Sequence, residues 1–117
     1  MNYAVIKKFD IANGPGVRVS LFVSGCRHKC KNCFNSEAWD FNYGSPFTED
    51  TLNELTEALD KSYIEGFSLL GGEPFEPENQ SGVLKILKSI NAKRRQADRY
   101  DACACLLSLI LWVFMYL

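Results

Sequence analysis

Apolar and polar positions alternate early in the chain and change to helical spacing further on. Val17, Val19, Leu21 and Val23 recur at period two, the pattern of a strand with one buried face. Phe22 on the opposite parity predicts that the second face is partly covered too. A first strand is expected over residues 3–11, where Tyr3, Val5 and Ile6 favour β structure, followed by the turn residues Asn13-Gly14-Pro15-Gly16. Gly25 closes the strand at 17–24, so whatever follows leaves a strand's C-terminal end. Residues 34–47 contain Asn35, Asn42, Gly44 and Pro46 and predict irregular structure. Thr48 reads as an N-cap with Glu49 and Asp50 in the first helical turn. Leu52, Leu55 and Leu59 carry that helix to about Lys61. Gly66-Phe67-Ser68-Leu69-Leu70 predicts a second core strand, stopped by Gly71-Gly72. Past Pro74 and Pro77, a second helix is expected from about Asn79 to Arg95. Val83, Leu84, Leu87 and Ile90 are its expected buried stripe, with Lys93, Arg94 and Arg95 near its C-terminus.

The alternation of strands and helices implies an α/β fold, a parallel sheet with helical crossovers. In such sheets binding loops gather at the strand C-terminal ends. The segment after Gly25 and the Gly71-Gly72 loop both leave strands directly, so they are expected side by side. No internal repeat, linker or low-complexity segment interrupts this pattern.

Composition alters the picture only at the margins. The 117 residues fit one domain and are 47% hydrophobic and 23% charged, as in ordinary globular proteins. A net charge of −1 provides no overall field toward nucleic acid or an anionic membrane. The N-terminus lacks the apolar stretch of a secretory signal. Five cysteines are an odd count, and three crowd into one short segment, unlike a secreted disulfide framework. Reduced thiols and a cytoplasmic location are expected. From Ala102 to Leu117 no residue is charged, but the run falls short of the ~20 apolar residues that span a membrane.

The chemistry is concentrated in Cys26-x3-Cys30-x2-Cys33. Soft thiolates select zinc or iron–sulfur clusters. A structural zinc needs a fourth protein ligand, for which His28, Cys103 and Cys105 are the candidates. A cubane held by three cysteines instead leaves one iron open to a substrate. Cysteines buried on a helix face would share this spacing, but Arg27, His28, Lys29, Lys31 and Asn32 surround them and argue against a core helix. His28 reads as a solvated loop residue. Gly71-Gly72 alone reads as a turn. Trp39, Phe41, Tyr43 and Phe47 read as packing residues.

Taken together, Asn13-Gly14-Pro15-Gly16-Val17-Arg18, Leu21-Phe22-Val23-Ser24-Gly25-Cys26-x3-Cys30-x2-Cys33-Phe34-Asn35, Glu37-x-Trp39, Gly44-x-Pro46-Phe47-Thr48 and Leu70-Gly71-Gly72-Glu73-Pro74 resemble the radical S-adenosylmethionine activases of glycyl-radical enzymes. Within these the chain is similar to the activating proteins of anaerobic ribonucleoside-triphosphate reductases. The resemblance covers about residues 1–95. It implies one 4Fe-4S cluster on Cys26, Cys30 and Cys33, and S-adenosylmethionine bound by Asn32, Cys33, Phe34, Gly71, Gly72 and Glu73. Phe34 would lie near the adenine and Gly71-Gly72-Glu73 would meet the methionine amino group. No further catalytic residue is implied. The implied activity is reductive cleavage of the cofactor to a 5′-deoxyadenosyl radical, which removes a hydrogen from a glycine of the reductase. The implied partners are the reductase's glycyl-radical subunit and an electron donor such as flavodoxin, with no nucleic acid and no membrane. Gly14-Pro15-Gly16 would lie near the partner or serve only as a tight turn. Arg18 is either a salt-bridged strand residue or a partner contact.

The resemblance also implies a partial parallel (βα) barrel, here cut after about two to three βα units. Residues 1–100 are the expected core, and 101–117 an apolar tail that does not match the family. Either Leu109–Leu117 adds a strand, as Trp112, Val113 and Phe114 favour, or the tail reflects a truncated or frame-shifted coding sequence. The abrupt change of composition favours the second. Two alternatives to the activase reading remain: a non-catalytic metal-binding module, degraded or closed around zinc by Cys103 or Cys105, and an activase of another glycyl-radical enzyme.

Overall fold

A computed structural model describes residues 1–96. The stretch 101–117, with Cys103 and Cys105, lies outside the described residues, as do both expectations for it.

The strand β1 spans Asn2–Asp10 and β2 spans Arg18–Val23. A single 3-10 turn at Ser36–Trp39 and the short strand β3 at Ser45–Pro46 interrupt the segment predicted to be irregular. Helix α1 runs Glu49–Leu59, β4 runs Gly66–Gly71, and α2 runs Pro77–Gln96. Thr48 caps α1 as expected: its hydroxyl accepts from the Thr51 amide while the Thr51 side chain accepts from the Thr48 amide, satisfying donors that the helix leaves free.

The four strands lie in the order β3-β1-β2-β4. β2 and β4 pair in parallel, from Arg18 opposite Gly66 to Val23 opposite Gly71, which is the expected crossover through α1. β1 pairs antiparallel with both β2 and β3. The sheet is therefore mixed and not wholly parallel: only a short turn separates β1 from β2, and a parallel connection needs a crossover of a dozen or more residues.

Val19, Leu21 and Val23 of β2 and Phe67 and Leu69 of β4 pack with Leu52, Leu55 and Ala58 of α1 and Val83 and Ile86 of α2. Both helices thus cover the same sheet face. The stripe of α2 differs from expectation at one position: Ile86 is fully buried, while Leu84 is 52% exposed. Spacings of three, four and seven from Val83 select Ile86, Leu87 and Ile90, and Leu84 points about 100° away.

On the other face, the segment between β1 and β2 folds back over the strands. Asp10 holds its start, accepting from the Ala12 amide at 3.0 Å and from Asn13 Nδ2 at 2.6 Å. Arg18 holds its end. It is 6% exposed, and its guanidinium donates to Ser68 Oγ at 2.7 Å, the Phe67 carbonyl at 3.0 Å and the Pro15 carbonyl at 3.3 Å. Ser68 Oγ in turn donates to the Asn13 carbonyl at 2.7 Å. Arg18 is thus neither salt-bridged through these contacts nor a surface residue. It secures the Gly14-Pro15-Gly16 turn from within.

Candidate iron–sulfur loop

The parallel register brings the C-terminal ends of β2 and β4 level, so the loops leaving them meet. The Gly72 amide donates to the Val23 carbonyl at 2.9 Å and the Glu73 amide to the Gly25 carbonyl at 2.8 Å. Gly71 has φ +111°, and a Cβ there would lie 2.4 Å from the Val23 carbonyl oxygen; at Gly72 it would lie 2.5 Å from the Gly25 carbonyl oxygen. The lack of side chains at this pair is therefore required by the approach of one strand end to the other. Asn79, at 1% exposure, completes the junction. Its Nδ2 donates to the Ser24 carbonyl at 2.9 Å and to the Glu73 carbonyl at 3.0 Å.

Past this junction the cysteine loop is irregular. The Gly25 and Cys26 amides donate to the Ala38 and Trp39 carbonyls, and the Cys33 amide to the Cys30 carbonyl at 3.2 Å. Lys29 and Asn32 both take positive φ, at 48° and 62°. Asparagine tolerates that region better than most residues. All three thiols are free; Cys26 and Cys33 are half-buried and Cys30 is exposed.

Among the described residues, no three Cys, His, Asp or Glu side chains already lie together as a metal site. The donor chemistry nonetheless fits a cluster: three soft ligands lie on one short loop whose root is fixed and whose tip is open. Binding would draw the thiols together, as metal binding commonly couples to local ordering.

The expected cofactor residues are only partly assembled. Glu73 is buried beside the loop, with one oxygen accepting the Phe75 amide at 2.9 Å and the other 3.3 Å from His28 Nε2. His28, expected to be solvated, is exposed but faces this carboxylate. Phe34 is 96% exposed, and Asn32 is exposed beside it in sequence.

Sequence reasoning missed Arg27, Glu76, Glu78 and Asn79. Glu76 accepts both the Arg27 amide and its guanidinium, and the guanidinium also reaches Glu78. These hydrogen bonds, with help from the Glu78 backbone amide, pull the Glu78 carboxyl from its ordinary 4.5 down to about 2. The bonds to Glu78 and Glu76 raise the Arg27 pKa further. Nothing local in the sequence pairs residues so far apart.

Residues 12–103 match a family described as a 4Fe-4S single cluster domain. Among curated proteins, the chain is 43% identical over 98 residues to the anaerobic ribonucleoside-triphosphate reductase-activating protein of Enterobacteria phage T4, covering 84% of this chain and 63% of the relative. The protein of the same name from Escherichia coli is 42% identical over 95 residues, covering 80% and 62%. That from Vibrio cholerae is 38% identical over 100 residues, covering 84% and 64%. The chain thus spans less than two thirds of the length of these relatives. No solved structure matches it. Among the described residues, no helix is long and apolar enough to cross a membrane.

Proposed function

Because the chain belongs to the 4Fe-4S single cluster domain family, we propose that Cys26, Cys30 and Cys33 hold one 4Fe-4S cluster and that the chain activates an anaerobic ribonucleoside-triphosphate reductase. The observation that carries this reading is three free thiols on a loop rooted directly against Gly71-Gly72-Glu73. With its cluster and S-adenosylmethionine bound, such a site would supply reductive cleavage of the sulfonium to a 5′-deoxyadenosyl radical able to take hydrogen from a glycine of the reductase.

The chain's own residues bind and orient. Cys26, Cys30 and Cys33 would supply three thiolates to the cluster, a set that would leave room for an added ligand. Glu73 offers a carboxylate suited to the cofactor's ammonium, provided His28 yields its place. The Phe34 ring is free to stack on an adenine, and Asn32 and Cys33 supply neighbouring backbone groups. The reductase's glycyl-radical subunit is the proposed partner, a donor such as flavodoxin the proposed electron source, and the cytoplasm the proposed location. The face of the sheet opposite the helices would line the inside of a partial (βα) barrel, as its buried Arg18, Ser20 and Ser68 suit a lumen better than an outer surface.

Anaerobic reconstitution with iron and sulfide tests the reading. About four irons per chain and an EPR signal of the reduced cluster that changes on adding S-adenosylmethionine are expected. One zinc per chain and no response to the cofactor would overturn it. Mixing the reduced protein with the reductase subunit and measuring a glycyl radical tests the partner.

A further inference from the structure

Glu76 is a buried carboxylate that the chemistry above does not use. It lies between the cysteine loop and the start of α2, 8% exposed. One of its oxygens accepts the Arg27 amide at 2.8 Å and the other the Arg27 guanidinium at 2.7 Å. The same guanidinium continues to Glu78 in the first turn of α2. Its central carbon lies over the Phe41 ring, 4.6 Å from the centroid, and that ring packs over Gly25. A single residue is thus gripped by its backbone and its side chain, and it is the residue bonded to Cys26.

From this geometry we propose that Arg27 and Glu76 form a positioning clamp that fixes Cys26 against the Gly71–Glu73 loop and so holds the cluster loop in place. The proposal rests on the reading of Cys26, Cys30 and Cys33 as cluster ligands. An exposed ion pair between two side chains would leave the backbone free. Here the carboxylate also takes the amide, so the peptide next to the first thiol is ordered before any iron arrives. The ordering cost is met by the apo fold and not at cluster binding. Glu76 is the buried member, so removing Arg27 leaves its carboxylate without the charge that compensates it, while the Arg27 guanidinium is exposed and also pairs with Glu78. Groups that orient metal ligands from behind commonly change metal affinity by about 10–100-fold.

The test uses the full chain and the variants Arg27→Ala, Glu76→Ala, their double variant, Glu78→Gln, and Lys8→Ala as a control. Lys8 pairs with Glu54 of α1 at 2.8 Å and lies toward the end of β1 that pairs with the start of β2, away from the strand end that leads into the loop. Two quantities are read: amide hydrogen exchange over residues 26–33 in the apo protein, and the rate of iron loss to a chelator from the reconstituted protein. Arg27→Ala and Glu76→Ala should each speed exchange in that segment and accelerate iron loss about 10-fold. The double variant should be little worse than the worse single one, as expected of a coupled pair. Glu78→Gln should act in the same direction but less, and Lys8→Ala should change neither quantity. Should Glu76→Ala fail to fold, Arg27→Ala and Glu78→Gln decide the matter. Unchanged exchange at 26–33 in Arg27→Ala overturns the clamp, whatever the iron content. Failure of the wild type to take up iron would instead remove the ligand reading, while the exchange measurement still judges the clamp.

Discussion

Phe34 has its ring almost wholly in water immediately after the third thiol, although burial would stabilise an aromatic side chain by about 1.5–3 kcal/mol. A ring so exposed among the described residues contributes little to their stability and is available to contact a ligand. Phe34→Ala should therefore leave the urea unfolding of the apo chain within about 0.5 kcal/mol of wild type. The reconstituted protein should bind S-adenosylmethionine about 10-fold more weakly, the scale of a lost base–aromatic stack. Calorimetric titration measures this, and an unchanged affinity would take Phe34 out of the site. The thiols make a sharper case. Cys30→Ser should lower reconstituted iron from about four per chain to below about one, while Cys103→Ser and Cys105→Ser should leave it unchanged. Iron or zinc that depends on Cys103 or Cys105 would point to a closed four-ligand site. At this scale the spacing of the three thiols and their place on a loop after a strand were legible, because both are local properties of the chain. The exposure of Phe34 and the facing of His28 to Glu73 were not, since they depend on which loops become neighbours.

Elements were readable wherever a local rule governs them. The Thr48 cap and the parallel pairing of β2 with β4 follow from turn chemistry and from the length of the crossover. The α2 stripe was misassigned at one position, although the signal was present in the spacing of Val83, Ile86, Leu87 and Ile90. Ile86→Ala should cost about 3 kcal/mol in urea unfolding by opening a cavity under the sheet, and Leu84→Ala no more than about 0.5 kcal/mol. Equal losses would mean that α2 is rotated from the orientation described. Arg18 belongs to the same scale because it ties the β1–β2 connection to the sheet. Its bonds reach a serine and two backbone carbonyls, so nothing in the charge pattern marked it as buried. Arg18→Ala should cost about 3 kcal/mol, from the loss of charge-assisted hydrogen bonds at a buried site. It should also raise amide exchange through residues 11–17.

For the whole molecule, the consequential fact is that two loops 49–51 residues apart in sequence meet at one end of the sheet. The Arg27–Glu78 pair exists only in the folded chain, so it links stability to pH. The Glu78 carboxyl sits at about 2 when folded against an ordinary 4.5. Its contribution is therefore complete above about 4.5 and is lost as pH falls toward about 2. Glu78→Gln should flatten that part of the apo chain's stability–pH curve, followed by urea midpoints. Because the pair is exposed, the effect should shrink at high salt. A curve as steep in the variant as in wild type would show that the pair does not form in solution. The sequence by itself determined the three-thiol segment, its emergence from a strand, the Gly-Gly loop after the next parallel strand, and the capped helix between them. Each of these is written in spacings of a few residues, where backbone geometry repeats. Only the tertiary structure decided that both helices lie on one face and that Glu76 and Asn79 brace the cysteine loop. Those features depend on strand register, and in register Val23 lies opposite Gly71, a relation between distant segments that no local pattern of residues encodes.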